Sequence, residues 1–205
     1  MAAPNGDKQW DSFLTEAIGK GLKGKQLHNA IPHRRMSATI YKNYPQGKIT
    51  VTDFLLGQYY LYEDALNSQE WNIENDSMKV VLGHECQKAT CSFRGRKWTA
   101  WFALDVPVSD GPLKFCGLPG LIMEVYDRGK QYYFCINGMQ QVSATPITFG
   151  ILDKDFKHFQ KTDRKDFLLS KYRYLRNQNS INEASTGISL GSVDEALKYD
   201  LIERE

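Results

Sequence analysis

The sequence predicts an α+β chain in which a curved antiparallel sheet carries an N-terminal helix and C-terminal helices packed on it. Three observations point there. Short β-like runs separated by turn residues begin at Arg34, a long Pro/Gly loop feeds a hairpin in the middle of the chain, and apolar helical stripes lie near both ends. The closely spaced runs favour antiparallel neighbours and roughly six to nine strands.

The N-terminal helix rests on Gln9 to Leu22, where Trp10, Phe13, Leu14, Ala17 and Ile18 fall at offsets of three and four. Gly19 to Lys25 has a phosphate-loop composition, but no Gly-Lys-Ser/Thr ending and no preceding strand, so it reads as a solvated helix end. His28 and His33 flank Pro32 and are too few for a metal site. The strand runs that follow are Met36 to Tyr41, Lys48 to Leu55, Gln58 to Glu63, Glu70 to Glu74 and Met78 to Leu82. In Lys48 to Phe54, Ile49 and Val51 alternate with Thr50 and Thr52, the pattern of a strand with one buried face. Tyr59, Tyr60 and Tyr62 have the make-up of a stacking platform, although aromatic residues also simply favour strands.

Cys86 to Arg94 and Arg96 to Leu104 read as a hairpin turning at Arg94-Gly95. Trp98, Ala100 and Phe102 share one face, with Trp101 and Ala103 on the other, so this sheet is covered on both sides or wraps something apolar. Arg94, Arg96 and Lys97 at the tip are suited to gripping an anion, and equally to keeping an edge soluble. Pro107, Pro112 and Pro119 with Gly111, Gly117 and Gly120 make residues 105 to 120 a shaped loop. It enters a second hairpin, Leu121 to Tyr126 and Gln131 to Ile136, across Asp127-Arg128-Gly129-Lys130. Gln140 to Phe149, interrupted by Pro146, reads as an edge segment. Beyond it, residues 163 to 176 form a helix capped by Thr162 or Asp163, residues 177 to 191 a polar linker, and residues 192 to 203 a short closing helix.

Gly117-Leu118-Pro119-Gly120-Leu121-Ile122 resembles the signature of the GLPGLI family of bacterial proteins. Cys86-Gln87-Lys88-Ala89, Phe93 to Arg96, Trp98 to Trp101 and Pro107 to Pro112 resemble the family's other segments, in order, and the resemblance extends between residues 34 and 175. It implies an exported, envelope-associated, β-rich protein, periplasmic or otherwise extracytoplasmic, and it brings no established activity or catalytic residues. Met1 to Gly6 has no signal-sequence pattern, so the chain reads as a mature or trimmed form.

Composition narrows the partners. The 205 residues suit one domain, and 41% hydrophobic content supplies a sizeable core. A formal charge of +2, from 26 basic and 24 acidic side chains, gives no global field for nucleic acid or acidic lipid. No apolar run approaches the roughly 20 residues that span a bilayer. Four cysteines without a Cys-x-x-Cys pair allow either disulfides or buried thiols, and the family resemblance favours an oxidising compartment. His84 and Cys86 with Cys91, joined by Cys116 or Cys135, form the best metal candidate, set against disulfides such as Cys86 with Cys91 or Cys116 with Cys135. A thiol nucleophile at Cys116 or another cysteine needs a histidine and an oxyanion hole, for which the glycines after Cys116 offer backbone donors. No family pattern supports it, and a strand-launching turn explains Gly-Leu-Pro-Gly. The Asp105/Asp110 and Glu124/Asp127 carboxylates sit where turns and solvent faces explain them.

These readings converge on a half-open barrel resembling the folds of periplasmic lipoprotein carriers. Trp98, Trp101, Phe102, Phe115, Leu118 and Tyr133 are expected to line or rim its concavity. The expected role is non-enzymatic binding of an apolar small molecule, a peptide or an envelope protein, without a cofactor. The competing readings are a metal- or thiol-dependent redox protein built on His84 and the cysteines, and a purely structural module.

Overall fold

The computed structural model describes residues 16, 19–21, 38–143, 159–186 and 201–203. Within them, strands β1 (Thr39–Lys42), β2 (Lys48–Leu55) and β3 (Gln58–Ala65) pair antiparallel in sequence order. Strand β9 (Gln160–Lys161) adds to β3 in parallel. A second sheet, wholly antiparallel, is formed in order by β4 (Asn72–Val81), β5 (His84–Phe93), β6 (Arg96–Ala103), β7 (Leu121–Asp127) and β8 (Tyr133–Cys135). Helix α1 (Arg164–Thr186) follows β9. Among the described residues the fold is mostly β, with two sheets and one C-terminal helix.

The expected half-open barrel is therefore corrected. A barrel needs consecutive hairpins to pair without interruption, but residues 66–71 carry the chain out of one sheet and into the other, and the free side of β3 pairs with β9. The expected N-terminal helix over Gln9 to Leu22 lies outside the described residues, apart from Glu16 and residues 19–21, where Lys20 N donates to Glu16 O at 3.0 Å.

Turn chemistry explains the hairpins. Leu56-Gly57, Leu82-Gly83 and Arg94-Gly95 each place both residues at positive φ, the two-residue turn whose twist matches that of antiparallel strands. The two runs expected at Glu70 to Glu74 and Met78 to Leu82 are one strand. Residues 75–77 form a bulge in β4, between the pairs Glu74–Lys88 and Met78–Gln87, and do not break it.

Strand β2 departs from the expected single buried face, since Thr50 and Thr52 are buried as well as Ile49 and Val51. The Thr50 hydroxyl meets its hydrogen-bonding need by donating to Tyr44 O at 2.5 Å. On the Ile49/Val51 face, Phe167 of α1 packs against Tyr60 and Tyr62 at ring separations of 5.5 and 5.6 Å. Tyr59 packs on Phe54 at 4.9 Å and Phe159 at 5.5 Å, so the three tyrosines do not share a platform.

Asp163 caps α1 by accepting from Lys165 N at 2.7 Å. Lys171 ties the helix to β2 through Asp53 at 2.5 Å. The helix runs ten residues past the expected end at 176, through part of the expected linker, because no glycine or proline occurs before Gly187. Of the expected closing helix, residues 192–200 lie outside the described set, and residues 201–203 are not helical. The expected edge segment is described only at residues 140–143, which form no strand.

The loop between β6 and β7 lies between the two sheets and is gripped by both. Lys42, on β1, donates to Asp110 Oδ1 at 2.5 Å, Gly111 O at 2.6 Å and Phe115 O at 2.7 Å. From the loop, Lys114 reaches back to Asp64 on β3 at 3.2 Å and lies over the Tyr62 ring at 4.8 Å. Gln69 and Trp71 donate to the loop carbonyls of Lys114 and Cys116 at 3.0 and 2.8 Å. Replacing Lys42 by Met keeps most of the apolar stem but strands three acceptors. Since hydrogen bonds to charged groups contribute about 1.5–3 kcal/mol each at most and partly overlap, a loss of about 3 kcal/mol is expected in urea unfolding. A change within about 0.5 kcal/mol, the range of neutral surface substitutions, would show that the clamp is dispensable.

Candidate functional site

Five of the six residues of the GLPGLI stretch have a visible conformational or packing task. Gly117 takes φ +90° and donates its N–H to Ser109 Oγ at 3.2 Å. Leu118 is buried in the core formed by Trp98, Phe102, Phe115 and Ile122. At Gly120 an added Cβ would lie 2.0 Å from the carbonyl oxygen of Ala103, so no side chain fits between loop and β6. Leu121 and Ile122 then face opposite sides of β7, each into its own cluster. The stretch thus fixes the entry to β7. Gly120→Ala should destabilise the protein by about 3 kcal/mol or more, at the upper end of overpacking effects, read as a lowered denaturation midpoint. Unchanged stability would contradict this close approach.

The six residues expected at a concavity do not form one surface. Trp98, Phe102, Phe115 and Leu118 are between 0% and 3% exposed and pack on one another, with Phe115 against Trp98 at 4.7 Å. Trp101 and Tyr133 belong to the opposite face. A bulge at Met123 puts Glu124 beside Trp101, and the register rows run Lys88–Trp101–Glu124–Cys135 and Thr90–Thr99–Tyr126–Tyr133. Tyr126 and Tyr133 stack with centroids 6.0 Å apart. Lys79 Nζ lies 4.6 Å above the Trp101 ring and 2.5 Å from the Glu124 carboxylate. The Trp101 indole N–H is buried without a hydrogen-bond partner among the described residues. Desolvation, the Glu124 carboxylate and the Cys135 thiol push the Tyr133 phenol up to about 12. Sequence alternation separates Trp98 from Trp101, but Glu124, Tyr126 and Lys79 escaped that reading because only the bulge and the β4 register bring them to Trp101.

The histidine and cysteines are dispersed. All four cysteines are free thiols, three buried and Cys135 exposed. Cys86 packs with Val81, Ala103 and Met123, whereas Cys91 packs with Trp98 and Phe93 across the sheet. Five residues of strand separate them by roughly 17 Å, so neither a Cys86–Cys91 disulfide nor shared ligation is possible. Cys116 lies in the loop, its thiol near Gln69 Oε1 at 3.7 Å and Lys114 O at 3.6 Å, and Cys135 is on an exposed strand. His84 Nδ1 instead pairs with Asp105 Oδ2 at 2.7 Å. No three His, Cys, Asp or Glu side chains converge as a metal site among the described residues. Among the same residues no helix is long and apolar enough to cross a membrane.

Comparison with known families meets this geometry at the central strands. Residues 87–124 match a family model described as a protein of unknown function, Porph_ging. Porph_ging is the GLPGLI family, and the similarity is confined to that segment. The matched Porph_ging segment covers most of β5, all of β6, the clamped loop and the start of β7. No curated protein matches the chain. Two solved structures of PNGF-II, in space groups P21 and C2, show TM-scores of 0.39 and 0.37 at 16% and 18% identity, over 60% and 61% of this chain. The chain spans 22% and 23% of those chains, less than a quarter of their length.

The buried thiols, Cys91 and Cys116 of the Porph_ging segment and Cys86 just before it, are held protonated. Burial pushes the Cys91 thiol up to about 12, and desolvation also raises those of Cys86 and Cys116. Iodoacetamide at neutral pH should therefore modify Cys135 first, with the other three reacting only after unfolding, as read by peptide mass spectrometry. Native-state labelling of Cys91 at the Cys135 rate would refute this. The pH dependence follows in sign. A folded pKa above the ordinary 9.0 gives a contribution to stability that is complete below that value and is lost as pH rises towards about 12. Cys91→Val should flatten that alkaline decline.

Proposed function

We propose that this chain is a non-enzymatic binding module of the bacterial envelope, and that it engages a partner protein or peptide on the outer face of its five-stranded sheet. The observation that carries this reading is the aromatic group Trp101, Tyr126 and Tyr133, laid side by side around the Lys79–Glu124 ion pair. Tyr133 is 51% exposed, and Trp101 and Tyr126 are half-buried, on a sheet face where small polar residues would serve solubility alone. Trp and Tyr give large, rigid contact area at low entropic cost and dominate interface hot spots. The envelope placement is supported by the motif resemblance, which brings no activity with it.

The test uses p-benzoylphenylalanine in place of Tyr133, with the same residue in place of exposed Lys165 on α1 as control. Irradiation in native envelopes should give a discrete adduct at position 133 and none at 165. Trp101→Ala should weaken that adduct by tenfold or more, since a hot spot contributes about 2 kcal/mol or more. Equal labelling at both positions, or an adduct indifferent to Trp101→Ala, would reject the surface.

A further inference from the structure

The tip of the β5–β6 hairpin carries the basic group Arg94, Arg96 and Lys97, and the structure turns two of these inward onto a short stretch of the chain itself. Arg96 has a side chain only 2% exposed. One edge of its guanidinium is fixed by Asp127 Oδ2 at 2.9 Å and Gln131 Oε1 at 3.0 Å, with the Tyr132 ring at 4.7 Å. Its other donors reach two successive main-chain carbonyls, Nε to Ile202 O at 3.0 Å and Nη2 to Leu201 O at 2.8 Å. Recognition of consecutive carbonyls by a preoriented guanidinium reads backbone, not side chains.

The side chains of the stretch add selectivity. Ile202 packs against the cluster containing Phe93, Trp98 and Phe115. The Glu203 carboxylate meets Lys114 at 2.5 Å and Arg164 at 3.1 Å, with Arg94 Nε at 3.9 Å. These cations come from three elements, the interstrand loop, the start of α1 and the hairpin tip. Asp64 faces Lys114 and Arg94 from β3. With Glu203 withdrawn, buried Lys114 would retain one carboxylate, Asp64, and the tyrosine hydroxyl of Tyr62. A buried ammonium left to share a single carboxylate with Arg94 is unfavourable, so an emptied cleft favours another carboxylate. Beside it, an open groove of about 600 Å3 shares Arg96, Asp127 and Gln131 with the cleft and adds Lys97 and Arg128. Its basic lining extends the same charge preference beyond the three occupied positions.

We infer that this cleft is a binding site for an extended acidic segment of a partner protein, an apolar residue followed by glutamate, and that Leu201–Glu203 occupies it as an internal ligand. Occupation in cis sets the threshold for binding: a partner strand must outcompete a covalently attached segment, whose effective concentration a free strand has to exceed. Release of the internal segment therefore exposes a preformed site. The cleft lies on the face of β6 opposite Trp101 and shares no residue with the surface proposed above.

The probe is a fluorescein-labelled peptide copying residues 199–205, Tyr-Asp-Leu-Ile-Glu-Arg-Glu, titrated with protein and read by fluorescence anisotropy. The full chain should bind it weakly. A chain ending at Asp200, and independently the full chain carrying I202D and E203K, should bind at least tenfold more tightly. In the shortened chain Arg96→Gln should abolish binding, as should a probe whose central Glu is replaced by Lys. The inference is overturned if both altered chains fold yet bind no better than the full chain. It is overturned equally if both fail to fold, since the segment is then a fixed part of the structure. Dimerisation of the shortened-segment chains in place of probe binding, seen by sedimentation, would assign the cleft to a second copy and overturn the partner assignment.

Discussion

Two lysines pointing in opposite directions hold the molecule in its shape. Lys42 leaves the first sheet and is saturated by the loop between β6 and β7, while Lys114 leaves that loop and reaches Tyr62 and Asp64 of the first sheet together with the Glu203 carboxylate. An ammonium taken out of water must find nearly all its hydrogen bonds again, so each lysine accepts only a narrow set of loop conformations. The two sets intersect in the observed one. Once the loop is fixed, Phe115 and Leu118 drop into the core over Trp98, Gly120 slides against the Ala103 carbonyl, and β7 starts in register. The ion pairs thus contribute specificity of arrangement where the apolar cluster contributes most of the gross burial.

Local features of this fold are legible in sequence and the distant ones are not. The bounds of β2 can be read directly, because the β-branched run Ile49 to Thr52 and the apolar Phe54 and Leu55 lie between Gly47 and the Leu56-Gly57 turn. The hairpin of β5 and β6 is equally plain at Arg94-Gly95. What defeats the sequence is the membership of each strand. Whether β3 continues into β4 or recruits β9 is decided by a parallel pairing a hundred residues away, and composition holds no record of it. The end of α1 was written in the sequence, as the first glycine at Gly187, but asparagine- and serine-rich residues disguise it as a linker.

The candidate sites show the same division. Alternation puts Trp98 and Trp101 on opposite faces of β6, yet it does not say which face is filled by the loop and which is left open to neighbours. Arg94, Arg96 and Lys97 look alike as a basic tip. Only the structure distinguishes Lys97, which is exposed, from Arg96, whose guanidinium is buried against Asp127 and the carbonyls of residues 201 and 202. The cysteines misled for a related reason: proximity in sequence suggests a staple, while strand parity puts Cys86 and Cys91 on opposite sides of the sheet.

The Porph_ging segment supplies part of each proposed surface and all of neither. Trp101 and Glu124 lie inside residues 87–124, but Tyr126, Tyr133 and Lys79 lie outside. Arg94, Arg96 and Lys114 lie inside, but Asp64, Arg164 and Glu203 lie outside. A signature concentrated on the clamped loop therefore specifies the scaffold, and the two proposed surfaces, one cationic and one aromatic, lie on opposite faces of β6 and are completed by residues from the rest of the chain. Because a sheet separates the two surfaces and no side chain belongs to both, ligands on the two faces need not compete. Substitutions at Trp101 and at Arg96 should then act additively on stability and independently on binding. Any coupling between them would have to pass through the packing of Trp98 and Phe102 in the strand they share.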